Sequence, residues 1–93
     1  MKGTPIRIFT TTWCGDCFRA KSFLDRNGVR YEEIDIERNE AALKTVMDAN
    51  GGKRRVPTFE VAGQFYGNPP INELARIVGL TEAPEPEAQR AVR

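Results

Sequence analysis

The segment "FTTTWCGDCFRAKSFLDRNGVRYEEIDIE", residues 9–37, holds both cysteines of the chain and changes its apolar period twice. Just upstream, "PIRIF" (5–9) concentrates Ile6, Ile8 and Phe9, and the threonines that follow favour extended or capping conformations over a helix interior. A buried strand is expected there. From Asp16 to Asn27, Cys17, Ala20 and Leu24 recur at spacings of three and four, and "NG" at 27–28 supplies a left-handed stop past a helix end. A helix therefore opens at the cysteine motif. In "RYEEIDIE" (30–37), Ile34 and Ile36 alternate with charged neighbours, the pattern of a half-buried strand. Strand, helix and strand in about thirty residues form a βαβ unit, so the two strands are expected to run parallel through a right-handed crossover.

Outward from this unit, "NEAALKTVMDANGG" (39–52) puts Leu43, Val46 and Met47 on one helical face, with Asn39 or its neighbour as cap and "NGG" as terminator. "VPTFEVAGQFYG" (56–67) reads as an antiparallel hairpin turning at "AGQ". Ile71, Leu74, Ala75 and Val78 then mark a third helix between the prolines 69–70 and Gly79. The order β-α-β-α-β-β-α predicts an α/β fold of three layers, α/β/α, around a four-stranded mixed sheet. Phe9, Phe23, Phe59 and Met47 are expected in its core. One domain, residues 1–80, is expected, and "TEAPEPEAQRAVR" (81–93) reads as a flexible tail or as a short helix from Pro86.

Ninety-three residues exclude two domains, and 40% hydrophobic with 29% charged residues lie away from the composition of disordered chains. A formal charge of +1 provides no broad electrostatic footprint for nucleic acid or an anionic membrane. The first ten residues hold no apolar run of signal-peptide length, and no window reaches a membrane span. A cytoplasmic monomer is the resulting expectation, in a compartment where disulfides are usually transient and catalytic.

A cysteine between a strand and a helix meets unpaired backbone N–H groups and the positive end of the helix dipole, which favour the thiolate. If the helix opens at Gly15 or Asp16, Cys14 lies at the cap and outward, while Cys17 is one turn in, partly buried and close enough to bridge to it. Cys14 then attacks and Cys17 resolves, with Trp13 as an apolar platform beside the nucleophile. A closed zinc site needs four ligands, and a chain with no histidine and no third cysteine cannot complete one alone. No metal ligands are assigned within one chain. The alternative that stays open is an iron-sulfur cluster or metal carried between two chains through Cys14. A structural disulfide closing so short a loop would restrain little unfolded-chain entropy.

The "WCxxC" at the strand-helix junction, the "VP" at 56–57 before the third strand and the helix pattern together resemble the glutaredoxin family of the thioredoxin fold. The likeness covers roughly residues 5 to 79, and "GNPP" (67–70) is most similar to the mycoredoxin-like branch. The resemblance implies thiol-disulfide exchange on protein disulfides or on proteins mixed with small thiols. Electrons would come from a low-molecular-weight thiol or a flavin-dependent reductase, with no tightly bound cofactor. It also implies a cis bond before Pro57, which would leave the Val56 backbone free to pair with a substrate.

Three departures from the family pattern matter. Thr11 stands where many relatives carry a lysine, so one thiolate-stabilising charge is missing. Gly15 and Asp16 replace the common Pro-Tyr, and Asp16 is either an ordinary first-turn acid or a tuning carboxylate near the thiolate. A like charge at 4 Å costs about 1 kcal/mol in water and the helix terminus returns about 0.3 to 1 kcal/mol, so the two nearly cancel. The Gly-Gly-x-Asp signature that holds the glutamyl end of glutathione is absent, with Asn68 in the corresponding "YGNPPINEL". The co-substrate candidates are therefore mycothiol and bacillithiol ahead of glutathione, and the stretch also serves as a proline-rich entry to a helix. Finally, "KRR" (53–55) precedes "VP", so Arg54 or Arg55 is expected to hold carboxylates of a thiol or of a client protein. Arg19 and Lys21 are expected to be solvated helix residues.

Overall fold

The computed structural model describes residues 5–80; the tail at 81–93 lies outside the described residues. Its elements follow in the expected order: β1 (Ile6–Thr10), α1 (Gly15–Arg26), β2 (Glu32–Asp35), a turn of 3-10 helix (Ile36–Arg38), α2 (Glu40–Ala49), β3 (Thr58–Val61), β4 (Gln64–Gly67) and α3 (Ile71–Ile77). The sheet order is β2-β1-β3-β4, with β1 and β2 parallel and the β1–β3 and β3–β4 pairs antiparallel. This is the thioredoxin-like α/β/α arrangement around a four-stranded mixed sheet.

Strand alternation divides the core between the two faces. Ile6 and Ile8 of β1 and Phe59 and Val61 of β3 pack with Ala20 and Leu24 of α1 and Leu74 of α3. Phe9 points the other way, to Ile36 and to Ala42 and Val46 of α2. Of the other residues expected in the core, Phe23 packs part-buried against the first cluster and Met47 is half-buried.

The second strand is shorter than its alternating pattern predicts. Asp35 Oδ1 accepts the Glu37 N–H at 2.9 Å and caps a 3-10 turn, so Ile36 enters the core from that turn and not from the sheet. Helix α2 follows at once, its first turn capped by Asn39, whose side chain accepts the Ala42 N–H at 3.0 Å. The "NG" and "NGG" stops behave as read, with Gly28, Gly51 and Gly52 all at positive φ. At the hairpin turn the left-handed pair is Ala62 (φ 55°) and Gly63 (φ 79°). Among the described residues, no helix is long and apolar enough to cross a membrane.

Candidate active site

Cys14 is the N-cap residue of α1, with extended backbone (φ −94°, ψ 112°). Its Sγ accepts the Cys17 N–H at 3.0 Å, satisfying one of the orphan donors of the first turn with a sulfur. The Cys14 thiol donates to the Val56 carbonyl at 3.8 Å, across the gap to the loop before β3. Cys14 is half-buried and Cys17, one turn further, is 1% exposed; both are free thiols. Burial, reinforced by the Cys14 side chain, pushes the Cys17 thiol from 9.0 up to about 12, with the Thr11 backbone and Lys21 acting the other way. The outer sulfur is reachable and accepts one backbone N–H, whereas the inner one is held as a thiol.

The Val56–Pro57 bond is cis, as the family resemblance implies, and Pro57 is buried. A chain of hydrogen bonds fixes this loop. Thr58 Oγ1 donates to the Arg55 carbonyl at 2.6 Å and accepts from Asn50 Nδ2 at 3.1 Å, and the same amide donates to the Val46 carbonyl at 2.7 Å. The terminator of α2 is thereby tied to the rim of the cysteine site.

Asn68 closes the other side. In a left-handed conformation (φ 45°), its backbone N–H donates to the Pro57 carbonyl at 2.7 Å and its Nδ2 to Asp16 Oδ2 at 3.1 Å. Asp16 Oδ1 pairs with Arg19, so both carboxylate oxygens are engaged. Thr11 is 5% exposed, and its hydroxyl is buried without a partner among the described residues.

Trp13 is 70% exposed, and its indole N–H donates to Glu37 Oε2 at 3.2 Å. Arg54 lies 3.9 Å from the same oxygen. Arg55 is exposed, its side chain lying across Gly67 of β4 where any Cβ would collide with it. Thus Trp13, Cys14, Val56 and Pro57 gather at one place, Asn68 and Asp16 frame it, and the arginines stand at its edge.

Glu37 and the cluster of Lys21, Glu33 and Thr10 carry no sequence signal strong enough to mark them. Lys21 is not the solvated helix residue expected from its charge: its side chain is 28% exposed, and its Nζ donates to Glu33 Oε2 at 2.8 Å. Its position four residues after Cys17 is the one sequence feature that places it on the cysteine face. Arg19, at 68% side-chain exposure, is the solvated one, paired to Asp16 within its own turn. Among the described residues, no three His, Cys, Asp or Glu side chains converge as a metal-ligand group.

The family model described as Glutaredoxin matches residues 6–66. A Mycobacterium tuberculosis protein described as a glutaredoxin is 46% identical over 77 residues, spanning 81% of this chain and 92% of the relative. Mycoredoxin 1 of Corynebacterium glutamicum is 31% identical over 78 residues, spanning 84% and 94%. Among solved structures, a thioredoxin-like protein superposes with a TM-score of 0.69 at 28% identity, covering 77% of this chain and 97% of that one. The glutaredoxin of Archaeoglobus fulgidus superposes with a TM-score of 0.70 at 21% identity, covering 81% and 86%, a likeness of fold.

Proposed function

The chain belongs to the glutaredoxin family and is a thiol-disulfide oxidoreductase acting through a CxxC dithiol, and on that premise we propose that Cys14 is the nucleophile and Cys17 the resolving thiol. The observation that carries the assignment is the asymmetry of the pair: Cys14 Sγ takes the Cys17 N–H at 3.0 Å from an accessible cap position, while Cys17 is 1% exposed. The Cys14 thiolate attacks a substrate disulfide, forming a mixed disulfide and expelling one thiolate. Cys17 then attacks Cys14 Sγ, the second thiolate leaves, and the enzyme pair is left oxidised. Substrate is reduced by two electrons and the dithiol oxidised by two.

Val56 and Pro57 form the floor against which the substrate backbone lies, and Trp13 shields the mixed disulfide. Asn68 holds the Pro57 loop to α1 through Asp16. Thr11, buried and uncharged in the lysine position, and Asp16, paired to Arg19, leave the thiolate to backbone donors. Arg54 is engaged by Glu37, so Arg55 is the cation that meets acidic groups of client proteins.

Family membership points to a low-molecular-weight thiol as co-substrate. The finer reading is mycothiol, whose sugar–cyclitol body offers hydroxyls and no charge. Its support is that two charged pairs beside the cysteines are matched among themselves, Asp16 to Arg19 and Glu37 to Arg54, which leaves Arg55 at the rim for the acidic groups of clients. A carboxylate-rich thiol such as glutathione or bacillithiol has to displace these pairs. Disulfide-bearing or thiol-capped proteins are the clients and a flavin-dependent reductase regenerates the thiol, in a cytoplasmic monomer whose redox unit is residues 1–80, with 81–93 outside it.

The decisive experiment is intact mass of Cys17→Ser after exposure to the disulfides of mycothiol, bacillithiol and glutathione. One adduct on Cys14, formed fastest with mycothiol, is expected. An adduct on no cysteine would overturn the residue roles, and faster reaction with glutathione would overturn the choice of thiol.

A further inference from the structure

Cys17 must become a thiolate to resolve the mixed disulfide, yet it is 1% exposed and held as a thiol. Something has to make ionisation at that depth reachable. We propose that Lys21, fixed by Glu33 and Thr10 one helical turn beyond Cys17, is a positioning residue of the second half-reaction, its ammonium stabilising the thiolate that Cys17 becomes. The inference rests on the assignment of Cys17 as the resolving thiol.

Residues four apart on a helix lie on one face, so Lys21 stands directly beyond Cys17 on α1. A surface lysine ordinarily samples many rotamers, and its charge is spread over a wide volume of water. Here Glu33 Oε2 accepts both Lys21 Nζ at 2.8 Å and Thr10 Oγ1 at 2.9 Å. Thr10 is 1% exposed and belongs to β1, a central strand, so the carboxylate is pinned from inside the sheet. With its side chain 28% exposed, the Lys21 charge is screened by solvent less than that of a fully exposed lysine.

The charged and titratable groups facing Cys17 are few. From α1 they are Cys14, which opposes ionisation, and Lys21, which favours it; from β2, Glu33 stands behind Lys21; at the strand exit, the Thr11 backbone also favours the thiolate. A plain surface ion pair would sit as well anywhere along β2. This one ends on the face of the buried thiol, and a buried hydroxyl holds its far side.

In the step affected, the Cys17 proton passes to solvent, the Cys17 thiolate attacks Cys14 Sγ, a new sulfur–sulfur bond forms, and the bond to the bound thiol breaks. The departing thiolate leaves with the bonding electron pair and takes up a proton. Removing the Lys21 charge lowers the thiolate fraction about tenfold for each unit by which the Cys17 pKa rises. The more basic thiolate is intrinsically about threefold more nucleophilic, so the net expectation is a roughly threefold slower resolving step per unit.

The uncharged probe 4,4′-dithiodipyridine tests this, because each half-reaction releases one absorbing thiopyridone and the probe has no charge for Lys21 to attract. With Lys21→Met and Lys21→Gln, the first release is expected to keep its rate. The second should slow at neutral pH, by about threefold for each unit by which its pH profile moves to higher pH, with Lys21→Arg close to the parent protein. Equal second phases in the parent and both neutral variants, equal slowing of both phases, or an arginine variant as slow as methionine would each overturn the proposal. Comparing Cys17→Ser with Cys14→Ser separates the two layers: one release at the parent's first-phase rate in Cys17→Ser and no such fast release in Cys14→Ser upholds the cysteine roles, whatever Lys21 does. A fast release from Cys14→Ser would remove the premise itself.

Discussion

At the scale of single residues the chemistry turns on the difference between two sulfurs three positions apart. Cys14 sits where a helix start offers unpaired N–H groups, and Cys17 sits where water does not reach it. That difference has a pH consequence for stability. The unfolded Cys17 thiol loses its proton near 9.0 and the folded one near 12, so between these values the native state keeps a proton that the unfolded state has lost. Reduced protein therefore keeps its full stability below pH 9 and loses it progressively as pH rises toward 12. The oxidised form has no thiol to titrate, and Tyr31, raised to about 12 by burial and by Asp25, contributes equally in both forms. Urea midpoints of the two redox forms at neutral pH and at pH 10 should therefore diverge, the reduced form falling more; parallel behaviour would contradict the burial account of Cys17. Trp13 offers a second check. Glu37→Gln weakens the hold on the indole N–H and frees Arg54, so reaction with an anionic disulfide should accelerate relative to a neutral one.

At the scale of elements, the site is made by ends: the exit of β1, the start of α1, the loop into β3 and the exit of β4. Each end is held by a particular cap or tie. Asn39→Ala removes the α2 cap and should cost about 1 kcal/mol in urea denaturation, with little change in cysteine reactivity. Gly67→Ala should affect both stability and reactivity. A Cβ there collides with Arg55 and with Asn50 Oδ1, the amide that ties α2 to Thr58. The variant should lose roughly 1 to 3 kcal/mol by overpacking and also slow reduction of acidic client disulfides by displacing Arg55. Unchanged stability in Gly67→Ala would mean that the arginine swings aside freely.

At the scale of the whole molecule, two apolar clusters clamp one sheet, and the catalytic helix belongs to the larger of them. Leu24, fully buried between α1 and the sheet, anchors the far end of the helix whose start carries the cysteines. Leu24→Ala should cost about 2 to 5 kcal/mol, read as a lowered urea midpoint, and loosen the alignment of Cys17 behind Cys14. A loss well below 1 kcal/mol would show that the site end of α1 is held by local ties alone.

The elements were legible because their signals are local. The three- and four-residue spacing of Cys17, Ala20 and Leu24, the alternation in β1 and the glycine stops each follow from backbone geometry within a few residues. Asp35 shows where that ends, since a side chain capping its own backbone turned the expected end of a strand into a 3-10 turn. The cysteine pair was legible for the same reason, because a CxxC at a strand-helix junction fixes which sulfur is outward. What the sequence determined by itself is therefore the order of elements, the mixed sheet and the dithiol. Only the tertiary structure decided which charges meet. Asp16 with Asn68, Glu37 with Trp13 and Arg54, and Lys21 with Glu33 and Thr10 join residues up to 52 positions apart, and a side chain's partner there depends on chain crossings that no local period encodes.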